Sequence, residues 1–128
     1  MATKEEAQAF LDKTRPNRGY MLEMHRIMAA ADLEWAQKYN VFIEATYTGQ
    51  RLLDRKTKEL LQIVVEVALR ADVEHIQAHI KVALREGALP REILEAMQTV
   101  IAPMGALACT PRRKARAAET GFQTEDSG

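Results

Sequence analysis

The chain has 128 residues, 47% of them hydrophobic, a length that suits one compact domain with a real core. Its 18 acidic and 18 basic residues balance, so no overall field attracts nucleic acid or an anionic membrane. No apolar run approaches the length of a membrane span. The expected partner is therefore a small-molecule substrate or another protein, not nucleic acid or a membrane.

The amino-terminal stretch MATKEEAQAF is charged and polar, without the basic-then-apolar pattern of a secretion signal. The one cysteine, Cys109, cannot form an intrachain disulfide, which excludes a redox relay built on two cysteines. We interpret Cys109 as an inert small apolar residue. Both features favour a cytoplasmic location.

Helix-forming residues dominate and β-branched residues never alternate in short runs, so the sequence predicts an all-α fold. A short first helix is predicted over 3–13, stopped by the breakers in TRPNRGY. A second helical region covers 20–47, with a division near Ala31–Asp32 where Asp32 caps the second half. Gly49 closes this region.

The most apolar helix is predicted over 54–71, starting from Asp54. The next helix, in DVEHIQAHIKVALREGAL, has Asp72 as its natural N-cap. A further helix begins with Pro90 in its first position, and Pro103–Gly105 breaks it.

A basic helix is predicted over 111–119, and the tail 121–128 has little to bury and is expected to be flexible. The predicted architecture is therefore a single-domain bundle of about six helices over 1–120.

A narrow polar stripe runs along the apolar helix 54–71. Its members, at spacings of three, four and four, are Glu59, Gln62, Glu66 and Arg70. Apolar residues cover well over half of the circumference, which predicts burial of this helix in an oligomer. The stripe then lines a cleft or an interface. Alternatively the stripe faces water, with Glu66 and Arg70 forming a weak helical ion pair.

Three polar residues share a line beside the apolar face of the following helix. Asp72, His75 and His79 lie three and four residues apart, so all three can point into one pocket next to the core. Carboxylate and imidazole groups on one line can orient one another and move protons near neutral pH. The structural alternatives are an N-cap for Asp72, an exposed polar residue for His75 and a satisfied core-edge histidine for His79.

The two histidines also raise the question of a metal site. The zincin motif needs a glutamate directly after the first histidine, and here that residue is Ile76. A third ligand would have to come from His25 or a distant acid. We therefore expect no metal, although a metal-dependent enzyme using His75 and His79 stays an alternative.

Four features follow one another in the segment 52–108: LDRKTKELL, the histidine within IQAHIKVALREGAL, the following PREILEAM and the closing MGALA. In these features the segment resembles the carboxymuconolactone decarboxylase family, whose relatives include the alkyl hydroperoxidase D type proteins. The resemblance implies the all-helical alkyl hydroperoxidase D-like fold in a homo-oligomer, a trimer or a hexamer.

The peroxidase branch of this family uses a Cys-x-x-Cys pair followed four residues later by a histidine. Aligning that histidine with His79 places Asp72 and His75 at the cysteine positions, so a disulfide relay cannot operate here. The peroxidase relatives carry a relay glutamate about twelve residues before the first cysteine, but Glu59 lies thirteen before Asp72. Whether Glu59 or Glu66 faces His79 is therefore open.

The decarboxylase branch needs no cysteine pair, and the resemblance implies a cofactor-free lyase acting on a small carboxylated lactone or oxo acid. We expect His79 to be the proton donor or oxyanion stabiliser and His75 to be its partner. Glu59 or Glu66 would set the protonation of His79.

Arg70 is expected to bind substrate carboxylates, and Asp72 is expected to contact the substrate as well. Basic residues from a neighbouring subunit are the other source of positive charge: Arg112, Arg113 and Lys114. Two further hypotheses stay open: a non-catalytic oligomeric small-molecule-binding protein, and an alkylhydroperoxidase-related protein without the thiol relay.

Overall fold

The computed structural model describes residues 1–105. Predictions about Cys109, the basic residues 112–114, the helix 111–119 and the tail 121–128 lie outside these residues. The chain divides into two compact units, Met1–Leu52 and a second unit that starts at Leu53. Every regular element in the described part is helical, which confirms the predicted all-α class.

No helix within the described part is long and apolar enough to cross a membrane.

The amino-terminal unit consists of three α-helices and one π-helical turn. They are α1 (Lys4–Arg18), α2 (Glu23–Ala31), α3 (Leu33–Ile43) and the turn Glu44–Thr48. Its small core is built by Ala7, Leu11, Ala29 and Ala36.

The predicted end of the first helix near residue 13 is wrong, because α1 continues through Pro16 to Arg18. Proline removes one backbone donor, but it stands in the last turn, where little helix remains to be disrupted. The side chain of Arg18 is buried, and its Nη2 donates to Asn40 Oδ1 at 3.3 Å. We attribute the longer helix to this tertiary contact. Gly19, with a φ of 88°, then ends α1 in the left-handed conformation.

The predicted division near Asp32 is confirmed. Asp32 Oδ1 accepts a hydrogen bond from the Trp35 backbone N–H at 3.0 Å, which caps α3. The predicted closure at Gly49 is confirmed as well, since its N–H donates to the Glu44 carbonyl at 2.8 Å. A Cβ at position 49 would collide with that carbonyl oxygen, so the π-helical turn requires glycine there.

The second unit contains four described helices: α4 (Arg55–Ala68), α5 (Val73–Arg85), α6 (Pro90–Gln98) and α7 (Ile101–Met104). Helix α4 packs against both α5 and α6. Their common core includes Ile63, Val67, Ile76, Ile80, Ala83, Ile93, Met97 and Val100.

Helix α4 starts where predicted, because Asp54 Oδ1 accepts from the Thr57 N–H at 2.7 Å. Its predicted continuation to residue 71 is wrong. The Ala71 N–H bonds to the Glu66 carbonyl, the Arg70 N–H bonds to that of Val67, and Arg70 has a φ of 55°. These are the bonds of a Schellman motif, which ends a helix by placing one residue in the left-handed conformation.

Helix α6 begins with Pro90 as predicted, but the helical run breaks before Pro103. The break falls at Thr99, whose Oγ1 donates to the Ala96 carbonyl at 2.6 Å. A threonine hydroxyl bonded to a nearby carbonyl offers the backbone an alternative to the helical ladder. The short α7 therefore forms a separate element.

Candidate functional site

Two members of the polar stripe on α4 point into the second unit instead of facing water. Glu59 is fully buried and Glu66 is 7% exposed, whereas Leu61 and Val65 on the same helix are about half exposed. Seven residues, close to two helical turns, separate the glutamates, so both lie on the face that also buries Ile63. The alternative in which these carboxylates are solvated is therefore wrong.

The side chain that meets these carboxylates is His79 of α5, which is 3% exposed. It shares its helix face with Ile76, Ile80 and Ala83, so packing of this face against α4 buries the imidazole. His79 thus lies deeper than the core-edge position that the helical wheel indicates.

Both glutamates contact the imidazole, one at each ring nitrogen. His79 Nδ1 lies 2.7 Å from Glu59 Oε2, and Nε2 lies 3.2 Å from Glu66 Oε1. The question of which glutamate faces His79 is thereby answered: the two carboxylates hold the ring between them.

A fourth residue, Arg55, extends this arrangement and was missed in the sequence. Its Nε donates to Glu59 Oε1 at 2.7 Å, and its side chain is only 12% exposed. The signal was present, because an arginine four residues from a glutamate on a helix is a favourable pair. We call the connected set Arg55, Glu59, His79 and Glu66 the Glu–His–Glu chain.

The electrostatics of the Glu–His–Glu chain favour a charged imidazole. Burial alone lowers the pKa of His79, but the hydrogen bonds to Glu59 and Glu66 and their negative charges raise that pKa to about 9. At neutral pH His79 is therefore an imidazolium that donates from both nitrogens. With Arg55 it balances the charges of the two carboxylates.

One carboxylate oxygen of the Glu–His–Glu chain can still accept a hydrogen bond. Glu66 Oε2 is buried and has no hydrogen-bond partner among residues 1–105. A buried acceptor without a partner costs about 1–3 kcal/mol, so a donor from a bound molecule would be favourable at this oxygen. Glu66 is thus the member of the Glu–His–Glu chain that can accept a hydrogen bond from a bound molecule.

Asp72 and His75 form a separate pair at the start of α5. Asp72 Oδ1 accepts the His75 backbone N–H at 2.9 Å, and Oδ2 lies 3.0 Å from His75 Nδ1. The backbone hydrogen bond is the main cause that lowers the pKa of Asp72. In the described part of the chain neither residue contacts the Glu–His–Glu chain, so the expectation of one shared pocket is wrong for this pair.

Replacing Asp72 by alanine should remove the N-cap of α5 and lower the free energy of unfolding by about 0.5–2 kcal/mol. Urea titration followed by circular dichroism measures this change. Asp72→Asn is the matched control, because asparagine caps a helix equally well. A loss as large in Asp72→Asn would mean that charge, not capping, is the stabilising feature.

Arg70 does not continue the polar stripe, because it follows the end of α4 and its side chain is exposed. No ion pair links it to Glu66 among the described residues, so the predicted alternative of a helical pair is wrong. Its expected role in binding substrate carboxylates stays a prediction.

Within residues 1–105, no group of three or more histidine, cysteine, aspartate or glutamate side chains has the geometry of a metal site. His75 and His79 bond to different acids, as described above.

The arrangement is suited to proton transfer. An imidazolium between two carboxylates can release a proton from one nitrogen while the carboxylate at the other nitrogen stabilises the ring. Because the Nε2 side leads to Glu66, a proton leaving His79 on that side reaches the carboxylate with an open oxygen.

Comparison with family models gives a match to the Carboxymuconolactone decarboxylase family over residues 34–118. This range includes the whole Glu–His–Glu chain. Searches among curated proteins and solved structures found no match.

Proposed function

Since the chain belongs to the carboxymuconolactone decarboxylase family, we propose that it is a cofactor-free lyase for a small carboxylated lactone or oxo acid. The observation that carries this proposal is the buried Glu–His–Glu chain with its open Glu66 oxygen. Such a reaction requires a buried group that supplies positive charge and a proton, and the open oxygen of Glu66 gives that proton a route toward a bound molecule.

The proposed reaction breaks the bond between the substrate carbon and its carboxylate, and carbon dioxide leaves. The electron pair stays on the substrate and flows onto the carbonyl oxygen of the lactone or oxo acid, so the substrate itself is the electron sink. The resulting enolate then takes a proton at carbon. The protein has to stabilise the oxyanion and deliver that proton.

His79 is the proposed source of positive charge and of the proton. Both of its N–H groups already donate to carboxylates, so direct transfer to the substrate would break one of these bonds. We propose that Nε2 passes its proton to Glu66 Oε1, and that the carboxyl group then turns so that this same proton, still on that oxygen, is delivered to the substrate carbon. His79 is left neutral, still bonded through Nδ1 to Glu59, and regains a proton from solvent.

Glu59 and Arg55 are proposed as positioning residues. Glu59 fixes the ring and favours its charged form, and Arg55 holds Glu59 in place. The expected partnership of His75 with His79 has no support in its contacts, so we propose no direct proton transfer from it. Arg70 remains our candidate for the substrate carboxylate because it is exposed and a guanidinium can donate paired hydrogen bonds to a carboxylate.

We also propose that the protein acts as a homo-oligomer. The outer face of α4 exposes Leu61 and Val65, each about half exposed, and Leu69 directly after the helix is exposed as well. Contiguous apolar side chains at helical spacing are typical of a surface that a partner covers. Whether the assembly is a trimer or a hexamer stays a prediction.

The decisive experiment is a carbon dioxide release assay with 4-carboxymuconolactone and a panel of small 3-oxo acids. Glu66→Gln keeps the size of the side chain but cannot carry the proton. We expect kcat to fall by about 10²–10⁴-fold in this variant, as for loss of a general acid or base.

Glu74→Gln is the matched control, because Glu74 is exposed in the first turn of α5 and should keep full activity. Carbon dioxide release by Glu66→Gln at the wild-type rate would refute the relay through Glu66.

A non-catalytic binding protein is the second candidate. One observation favours it, namely that both nitrogens of His79 are engaged, as in a purely structural buried ion network. Tight binding of these acids to the wild-type protein without any carbon dioxide release would support this alternative over the lyase.

A further inference from the structure

The Asp72–His75 pair at the start of α5 has the arrangement of a carboxylate that orients a reactive imidazole. One carboxylate makes both contacts: Oδ1 accepts the His75 backbone N–H at 2.9 Å, and Oδ2 lies 3.0 Å from His75 Nδ1. The backbone hydrogen bond holds the carboxylate in place, and the carboxylate in turn holds the ring. The proposed lyase reaction makes no use of this pair.

The contact with Asp72 determines which nitrogen of the neutral His75 ring carries the hydrogen. An ionised carboxylate only accepts hydrogen bonds, and the lowered pKa of Asp72 keeps that carboxylate ionised near neutral pH. The hydrogen is therefore on Nδ1, and the lone pair is on Nε2. This is the tautomer in which a carboxylate-oriented histidine reacts through Nε2 in hydrolytic enzymes.

The lone pair on His75 Nε2 is available to a bound molecule. The His75 side chain is 33% exposed, and within residues 1–105 Nε2 has no hydrogen-bond or ion-pair partner. His79 differs, because its ring is buried and both of its nitrogens contact carboxylates. His75 is therefore the histidine of α5 that a molecule arriving from solvent can reach.

Exposed apolar side chains lie next to this pair in the chain. Leu69, directly after α4, is 75% exposed, and Val73, the first residue of α5, is 36% exposed. Both are within three residues of Asp72, so the same connection between helices offers nonpolar surface as well as a reactive nitrogen. A small molecule that reacts at this surface needs no enclosed cavity.

We infer that Asp72 and His75 form a second catalytic site, which hydrolyses activated acyl compounds such as aryl esters. His75 Nε2 attacks the ester carbonyl carbon and forms a C–N bond, the C–O bond to the aryl group breaks, and the aryl oxide leaves with the electron pair. Asp72 is a positioning residue that stabilises the positive charge on the acylated ring. Water then attacks the acyl carbon and the C–N bond breaks. The carboxylic acid leaves, and the ring passes the proton it gained at Nε2 to solvent.

The test is hydrolysis of 4-nitrophenyl acetate by the full chain, followed by the absorbance of the released 4-nitrophenolate over many turnovers. We expect the wild-type protein to react at least about tenfold faster than an equal concentration of N-acetylhistidine amide, because Asp72 orients the ring and stabilises its charge. His75→Gln should lose this excess. Lysines and the cysteine are unchanged in this variant, so the difference from wild type measures His75 alone.

Asp72→Asn separates catalysis from helix capping. Asparagine caps a helix as well as aspartate does, so circular dichroism and urea titration should show an unchanged fold and stability. The excess hydrolysis should still fall by at least about tenfold, because the amide cannot stabilise the charged ring. Glu74→Gln, which changes an exposed carboxylate of the same helical turn, is the matched control and should react at the wild-type rate.

Three results would overturn the inference: a wild-type rate no higher than that of N-acetylhistidine amide, or a wild-type rate retained by either His75→Gln or Asp72→Asn. Should His75→Gln fail to fold, Asp72→Asn decides the question. Ester hydrolysis requires no decarboxylation, so this test stands whether or not the protein releases carbon dioxide from oxo acids.

Discussion

Replacing His79 by alanine is expected to abolish carbon dioxide release and to lower the free energy of unfolding by about 3–5 kcal/mol. The loss of stability follows from the two carboxylates on either side of the ring. Without the imidazolium, Glu59 and Glu66 stay buried with no cation between them, although Arg55 still pairs with Glu59. Urea titration and the decarboxylation assay measure the two effects.

His75→Ala is the matched control for this variant. His75 is partly exposed and bonds to an exposed aspartate, so its loss should cost no more than about 1 kcal/mol. The double variant His79→Ala, Glu66→Gln should be more stable than His79→Ala alone, since one of the two buried carboxylate charges is removed. A double variant that is less stable than the single would contradict the buried ion network.

The second large effect is a loss of stability at alkaline pH. The pKa of His79 rises from about 6.5 in the unfolded chain to about 9 in the folded protein. A group with a raised folded pKa contributes its full stability below the unfolded pKa and loses it as the pH rises through the folded pKa. The contribution of His79 should therefore be complete below pH 6.5 and fall by about 3 kcal/mol by the time the pH passes 9.

The measurement is the difference in the free energy of unfolding between wild type and His79→Gln from pH 6 to pH 10. Subtraction removes the contribution of all other groups, which are the same in the two proteins. A difference that stays constant across the range would mean that His79 does not bind its extra proton in the folded state. Histidine ring resonances followed by NMR provide the same titration directly.

Local rules accounted for most of the helices. Asp32, Asp54 and Asp72 each cap the helix predicted for them, because a cap needs only a side-chain oxygen and an amide three residues on. The errors fall at helix ends such as Arg18 and Arg70. At Arg18 the helix boundary depends on a tertiary contact. At Arg70 it depends on a residue other than glycine that adopts the left-handed conformation.

Part of the candidate site likewise followed from patterns in the sequence, and part of it did not. Periodicity placed Glu59, Glu66 and His79 on inward or marginal faces, and the resemblance to the family singled out His79. Periodicity also grouped His75 with His79, because a helical wheel places both on one face of the helix. The contacts separate them: the partners of His79 come from another helix, and those of His75 come from its own N-cap.

What the sequence by itself determined is therefore the all-helical class, the capped starts of the helices and the family. Each of these depends on residues close together in the chain or on a pattern along it. Only the tertiary structure decided that two carboxylates hold one imidazole, that Arg55 supports them and that Glu66 keeps an open oxygen. These features depend on how α4 and α5 are rotated toward each other, and helical periodicity leaves that rotation undetermined.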